Sequence, residues 1–287
     1  MGLLDRRHLH PAAGALVAAA LLLLSARVPG AMAQEETDDE SKFGYVPGSP
    51  NAPDRWAELN ASWASCSAGR MQSPIDLSRD NATLVRSLGF LNYSYRPTEA
   101  TLVNRGHDIQ VRFNRSAGRL AINGTVYYLK QLHWHTPSEH TIDGRRYDME
   151  LHLVHESAEN KAAVIGVLYE NSSVPDPFLK TLERNIERIR DTHEREVPAG
   201  VVDPNLARAT GSVYYRYMGS LTTPPCTEGV VWTVFKKVRP VAKYQVKLLR
   251  DAVDDGYEKN ARPLQDVNDR DISIFRPKPY KGIKRYY

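Results

Sequence analysis

Long apolar runs are nearly absent from this chain. The one candidate, Ala12 to Leu24, is too short to cross a bilayer comfortably. No later segment is long and apolar enough, so no membrane span is expected. A strong charge of one sign is also missing: 38 Lys and Arg stand against 34 Asp and Glu, a net +4. That gives no ground for charge-driven binding to nucleic acid or a membrane surface. Cysteine is scarce, with only Cys66 and Cys226, which caps the disulfides at one. Extended helical periodicity is missing as well, and no internal repeat is evident.

The N-terminus reads as a signal peptide over residues 1–33. Arg6 and Arg7 precede the apolar run, and Ala31-Met32-Ala33 is a small-residue cleavage site before Gln34. Cleavage there removes three arginines and one aspartate, so the mature net charge falls to about +2. Residues 34–42 are acidic and polar and are expected to be disordered. Residues 43–277 suffice for one domain, and 278–287 form a basic, solvated tail.

Short strand-like runs separated by Gly, Pro and Asn dominate that domain: 101–103, 109–113, 126–129, 163–168 and 230–234. Helical spacing appears at Leu179, Leu182, Ile186 and Ile189, and again over 246–253. The pattern predicts a sheet-dominated α+β domain.

Three histidines carry the chemistry. His133 and His135 lie in Gln131-Leu132-His133-Trp134-His135, and His152 lies in Met149-Glu150-Leu151-His152-Leu153-Val154-His155. Both runs alternate like strands, so residues i and i+2 share a face. If the strands are neighbours, three imidazoles converge, as a catalytic Zn²⁺ with an open fourth position requires. Gln131 and Glu150 are placed to bond the outer ring nitrogens of neighbouring ligands. A His-x-His pair alone is a weak sign in a chain with nine histidines.

The surrounding runs resemble the α-class carbonic anhydrases. The matching stretches are Gln72-Ser73-Pro74-Ile75-Asp76, Asn104-Arg105-Gly106-His107, Gln131 to His135 and Ser138-Glu139-His140-Thr141. Glu150 to His155, Gly219-Ser220-Leu221-Thr222-Thr223-Pro224-Pro225, Trp232 and Asn260-Ala261-Arg262-Pro263 follow in the family's order. Cysteine placement and sequons look most like secreted plant or algal forms. The resemblance implies a single domain built on a large, twisted, mostly antiparallel sheet with short peripheral helices. It also implies one Zn²⁺ on His133, His135 and His152, and reversible hydration of CO₂ to bicarbonate and a proton.

Further roles follow from the same resemblance. Thr222 would orient the attacking oxygen and pass its hydroxyl proton to Glu139, which must be ionised to accept it. The Thr222 N–H would hold a substrate oxygen, with Thr223 beside it. Val154, Val164, Leu221, Val230 and Trp232 would wall a CO₂ pocket. His107 would shuttle the proton, since an imidazole titrates near neutrality, and Tyr45, Asn104 and Gln110 would support its path. Arg105 departs from the family's usual Asn, and its charge would disfavour imidazolium at His107. His140 and His155 read as structural.

Secreted relatives carry a bridge at positions matching Cys66 and Cys226, so one disulfide is expected to pin the Thr222 loop. Six Asn-x-Ser/Thr sequons, at Asn60, Asn81, Asn92, Asn114, Asn123 and Asn171, are glycosylation candidates behind a signal peptide. The destination reads as extracellular or apoplastic, or else a plastid reached through the secretory route. The small-molecule partner would be CO₂ or bicarbonate, with no nucleic acid. A non-catalytic storage or binding protein on the same fold is the rival reading.

Overall fold

A computed structural model describes residues 43–190, 196–209 and 211–278. The expected signal peptide (1–33), the acidic segment (34–42) and all of the basic tail but Lys278 lie outside the described residues. The described residues all belong to one compact unit.

In chain order the strands are β1 (Asp76–Leu77), β2 (Ala82–Leu84), β3 (Asn92–Tyr95), β4 (Thr98–Asn104), β5 (Ile109–Phe113), β6 (Gly118–Ile122), β7 (Thr125–His135) and β8 (Thr141–Ile142). They continue as β9 (Arg145–Arg146), β10 (Met149–Ser157), β11 (Ala162–Ser172), β12 (Glu196–Val202), β13 (Tyr214–Ser220), β14 (Glu228–Phe235), β15 (Arg239–Ala242) and β16 (Ile272–Phe275). The α-helices are α1 (Trp56–Leu59), α2 (Ser65–Ala68), α3 (Pro177–Ile189) and α4 (Lys243–Ala252).

A sheet of 13 strands runs in the order β12-β4-β5-β7-β10-β11-β14-β13-β16-β2, with β3, β6 and β15 branching from it. Most pairs are antiparallel, as expected; β14 and β15 pair parallel with β11, and β2 with β16. All five strand-like runs fall inside strands, and 109–113 coincides with β5. β12 was not foreseen, because Pro198 and Gly200 break its pattern. It lies at the sheet's edge, with its register shifting between those two residues, where a Pro is tolerated.

Helix α3 forms for local reasons. The Asp176 carboxylate accepts from the N–H groups of Phe178 and Leu179, and Pro177 occupies the first turn. Leu179, Leu182, Ile186 and Ile189 form its buried stripe. Helix α4 starts earlier than the 246–253 reading, because Gln245 accepts from Ala242 N and anchors its first turn to Asp176.

The sheet separates two cores. Leu132 and Trp134 of β7, and Leu151 and Leu153 of β10, point into the larger cluster with α3 and α4. Their alternates, His133 and His135, and Glu150 and His152, therefore face the other side. There a second cluster gathers Val164, Trp232, Val230, Leu221 and Tyr217. A third, aromatic cluster of Phe43, Tyr45, Trp56 and Trp63 surrounds Cys66 and Cys226.

Candidate metal centre

β7 and β10 are antiparallel neighbours, with His152 opposite His133 and Glu150 opposite His135. That register brings the three imidazoles together: ring centroids are 5.0 Å (133–135), 5.1 Å (133–152) and 4.7 Å (135–152) apart. All three residues are buried.

The outer nitrogen of each ring faces an acceptor. His133 Nδ1 donates to Gln131 Oε1 (2.8 Å), His135 Nδ1 to the Asn260 carbonyl (2.8 Å), and His152 Nε2 to Glu150 Oε1 (3.0 Å). With those protons placed outward, the inward atoms His133 Nε2, His135 Nε2 and His152 Nδ1 carry lone pairs. His135 Nε2 is buried without a hydrogen-bond partner. His152 Nδ1 and His133 Nε2 face each other at 3.2 Å. Two lone pairs at that distance repel unless a cation lies between them. Tetrahedral zinc with Zn–N near 2.05 Å places ligand nitrogens about 3.3 Å apart, so the donor set fits that metal.

Glu150 anchors more than His152. Its Oε1 also accepts from His140 Nδ1 (2.7 Å), and its Oε2 from the Glu139 and His140 N–H groups (2.9 and 2.8 Å). Burial alone would raise its pKa. The neighbouring His140 and His152 overcome that and hold the carboxyl well below the usual range. His140 Nε2 in turn accepts from the Tyr217 hydroxyl (2.7 Å), which bonds Ser73 Oγ (2.8 Å). Ser73 Oγ accepts from the Ser220 N–H, so this chain of bonds ends at the start of the threonine loop.

That loop carries Thr222 and Thr223, both buried, before a cis Pro224-Pro225 bond. The Leu221 N–H donates to the Thr227 carbonyl and closes the loop. Cys66 and Cys226 are disulfide-bonded, pinning its far side. Glu139 Oε1 accepts from the Arg262 N–H (2.9 Å), while Oε2 has no hydrogen-bond partner and lies 3.5 Å from His135 Nε2. No hydrogen bond joins Thr222 to Glu139, contrary to expectation; Glu139 is fixed by Arg262 and leans toward His135. His135 is shifted upward: burial works against its charge, but Glu139 and the Asn260 carbonyl outweigh it.

Val154, Val164, Leu221, Val230 and Trp232 belong to one apolar group beside the histidines, and the Trp232 ring lies 4.8 Å from that of His152. Gln110 pairs across the sheet with His133. Tyr45 is buried in the aromatic cluster. Asn104 is used elsewhere: its Nδ2 donates to the Ala252 and Ile189 carbonyls and its Oδ1 accepts from Gly106 N, so it supports a turn rather than a water path. His107 is fully buried. Arg105 does not face it as a lone charge, because both prongs of its guanidinium pair with Asp108. His155 donates from Nδ1 to the Ala163 carbonyl and accepts the Tyr95 hydroxyl at Nε2.

Sequence reasoning assigned no role to Asn260, Asp108, Tyr217, Ser73 or Arg262. Asn260 is the most connected. Its Oδ1 accepts from Thr136 N (2.8 Å), its Nδ2 donates to the His107 and Trp134 carbonyls (2.7 and 3.2 Å), and its own carbonyl holds His135. Only its membership of the matching Asn260-to-Pro263 stretch could have flagged it. Of the six sequons, Asn81, Asn92, Asn114 and Asn123 are exposed. Asn60 caps Ser62 with its side-chain oxygen, and Asn171 is half-buried with its oxygen in the interior.

Three inward imidazoles on adjacent strands, each oriented from behind, define a chain equipped to hold a metal ion. The chain belongs to the carbonic anhydrase family: the family model described as eukaryotic-type carbonic anhydrase matches residues 51–276. Alpha carbonic anhydrase 7 of Arabidopsis thaliana is 49% identical over 242 residues, covering 84% of this chain and 88% of that one. Dioscorin dioA3 of Dioscorea japonica is 46% identical, covering 83% and 88%. A crystal structure of dioscorin complexed with ascorbate superposes with a TM-score of 0.81 at 45% identity, covering 83% of this chain and 99% of that one.

Proposed function

We propose that this chain is a zinc-dependent enzyme that interconverts CO₂ with bicarbonate and a proton. The observation that carries this reading is the set of three inward lone pairs, each fixed by a hydrogen bond at the outer nitrogen. His133, His135 and His152 would hold the ion. An ion held there would supply Lewis-acid chemistry toward water, its charge left whole by three neutral ligands.

The remaining residues would orient, exclude and carry. Arg262 fixes one oxygen of Glu139 and leaves Oε2 without a hydrogen-bond partner, so a turn of the Thr222 side chain toward it would let Oε2 accept the Thr222 hydroxyl hydrogen. Thr222 would thereby align the attacking oxygen, and its N–H with Thr223 would receive substrate oxygen. Val154, Val164, Leu221, Val230 and Trp232 give the uncharged CO₂ an apolar wall and keep water out. His107 would take the proton away, with Tyr45 and Gln110 along its route.

The Cys66–Cys226 bridge supports an oxidising compartment. With the leader read at 1–33 it favours the secretory route and an extracellular site. Glycans would sit on the four exposed sequons. The dioscorin relatives support a second reading, a non-catalytic storage or binding protein. A CO₂-hydration assay on the purified protein, with and without a chelator, separates the two. Hydration that is lost on chelation and regained with zinc supports the enzyme. Inactivity of the zinc-loaded protein would support the second reading.

A further inference from the structure

The six sequons differ in what stands two positions before the asparagine. Those residues are Glu58, Arg79, Phe90, Arg112, Ala121 and Tyr169. Only Phe90 is both aromatic and exposed, since Tyr169 is buried. At 70% exposure Phe90 is also the most open large apolar side chain among the described residues. Covering such a ring is favourable, yet the described residues leave it open.

The local structure sets Phe90 and Asn92 side by side. Exposed and inward positions alternate without a break from Phe90 to Tyr95. Leu91, Tyr93 and Tyr95 pack against the larger core. Phe90, Asn92 and Ser94 therefore share the outer face, where successive residues stand about 6.6 Å apart. Strand β3 is held by β6, with Asn92 opposite Ala121 and Ser94 opposite Arg119. Phe90 is anchored from behind: its ring makes a T-shaped contact with that of Phe275 at 5.4 Å, and the Tyr214 hydroxyl donates to the Gly89 carbonyl (2.9 Å). Gly89 takes a φ of +66°, which glycine adopts freely, just before the ring. A side chain held this way loses little freedom when it is covered. Other sequons are engaged differently: the Asn60 side-chain oxygen caps Ser62, that of Asn114 accepts from the Thr101 hydroxyl, and that of Asn171 is buried.

We propose that Asn92 carries an N-linked glycan whose first N-acetylglucosamine lies over the Phe90 ring. In the transfer, Asn92 Nδ2 bonds to the anomeric carbon of an oligosaccharide supplied on a lipid diphosphate. The bond from that carbon to the diphosphate oxygen breaks, the lipid diphosphate leaves, and the proton lost by Nδ2 passes to solvent. The sugar then starts from the outer face, beside the ring. One face of a pyranose presents C–H groups, whose partial positive charge suits the electron-rich face of an aromatic ring. The sugar's hydroxyls stay turned to water, so Phe90 is covered without stranding polar groups. The inference rests on reading residues 1–33 as a leader into the secretory route.

The test uses the full chain with its leader, secreted from a eukaryotic host that keeps glycans in the high-mannose form. Glycopeptide mass spectrometry reads occupancy, and Asn92 should be modified. An endoglycosidase then trims every glycan to its first sugar. On the trimmed proteins, melting temperatures are compared for wild type, Asn92→Gln, Phe90→Ala and the double variant. Asn92→Gln should cost about 2–4 °C when Phe90 is present and under about 1 °C in the Phe90→Ala background. Should Phe90→Ala not fold, Phe90→Leu, which keeps apolar packing on Phe275 but has no ring face, takes its place. An equal cost in both backgrounds, or none in either, overturns the proposal, because the sugar then does not act through the ring. So does an unmodified Asn92 in protein whose other sequons carry glycans. If no sequon is modified, the reading of the leader fails and the proposal fails with it.

Discussion

His133, His135 and His152 are each oriented by a different acceptor: a side-chain amide, a backbone carbonyl and a carboxylate. Only His152 leans on a charged group, and Glu150 also serves His140. His152→Ala should therefore leave the Glu150 hub standing while removing one of three donors. Zinc after dialysis should fall from about one per chain to under a tenth, by elemental analysis with folding checked by circular dichroism. Full retention of zinc would overturn the site. The trio was legible in the sequence because strand periodicity is strict, and Gln131 and Glu150 followed by the same rule. Asn260 was not legible, because it acts on His135 through its backbone carbonyl from 125 positions away. The Thr222–Glu139 bond was expected and is not formed, because a side-chain torsion is not written in a spacing. Asp108 was overlooked beside Arg105, since a charge taken singly says nothing about what neutralises it.

Between elements, the site depends on register and on anchoring. A slip of one residue between β7 and β10 would turn the histidines to the opposite core, and the packing of Leu132, Trp134, Leu151 and Leu153 forbids it. The strands were readable from alternation, whereas the edge strand β12 was hidden by Pro198 and Gly200. The order of strands in the sheet was not readable at all, since it is set by contacts far apart in sequence. Asn260 joins the end of β7 to the His107 turn. Asn260→Ala should strand the Thr136 N–H and the His107 carbonyl, costing about 2–4 kcal/mol by urea unfolding and weakening zinc binding about ten-fold or more. A variant with wild-type stability and zinc affinity would show the hub to be dispensable. The Cys66–Cys226 bridge spans 160 positions. Chain entropy then allows up to about 5 kcal/mol of stabilisation, so reduction should lower the melting temperature by several degrees. Two titratable thiols in the native, unreduced protein would refute the pairing.

For the molecule as a whole, one buried histidine couples folding to pH. His155 lies on β10 just past the register shift at Val154, with no exposed surface. Its ring is satisfied only as the neutral tautomer, donating to Ala163 and accepting from Tyr95. Burial lowers its pKa to about 4, and the opposing backbone contacts do not make this up. The unfolded chain binds this proton near pH 6.5, well above the folded one. Between about pH 6.5 and 4 the unfolded state thus holds more protons, so the stability this residue contributes is complete above pH 6.5 and is lost as pH falls. Full loss amounts to about 3 kcal/mol, and about 2 kcal/mol of it should be gone between pH 7 and pH 5. Glutamine can still accept the Tyr95 hydroxyl but cannot take up a proton. Urea unfolding of the wild-type protein and His155→Gln across that range should therefore give curves that converge by about 2 kcal/mol on acidification. Carboxylates titrate in both proteins and drop out of the difference. Parallel curves would mean that His155 keeps an ordinary pKa in the fold, and that the acid sensitivity of this sheet lies in other groups.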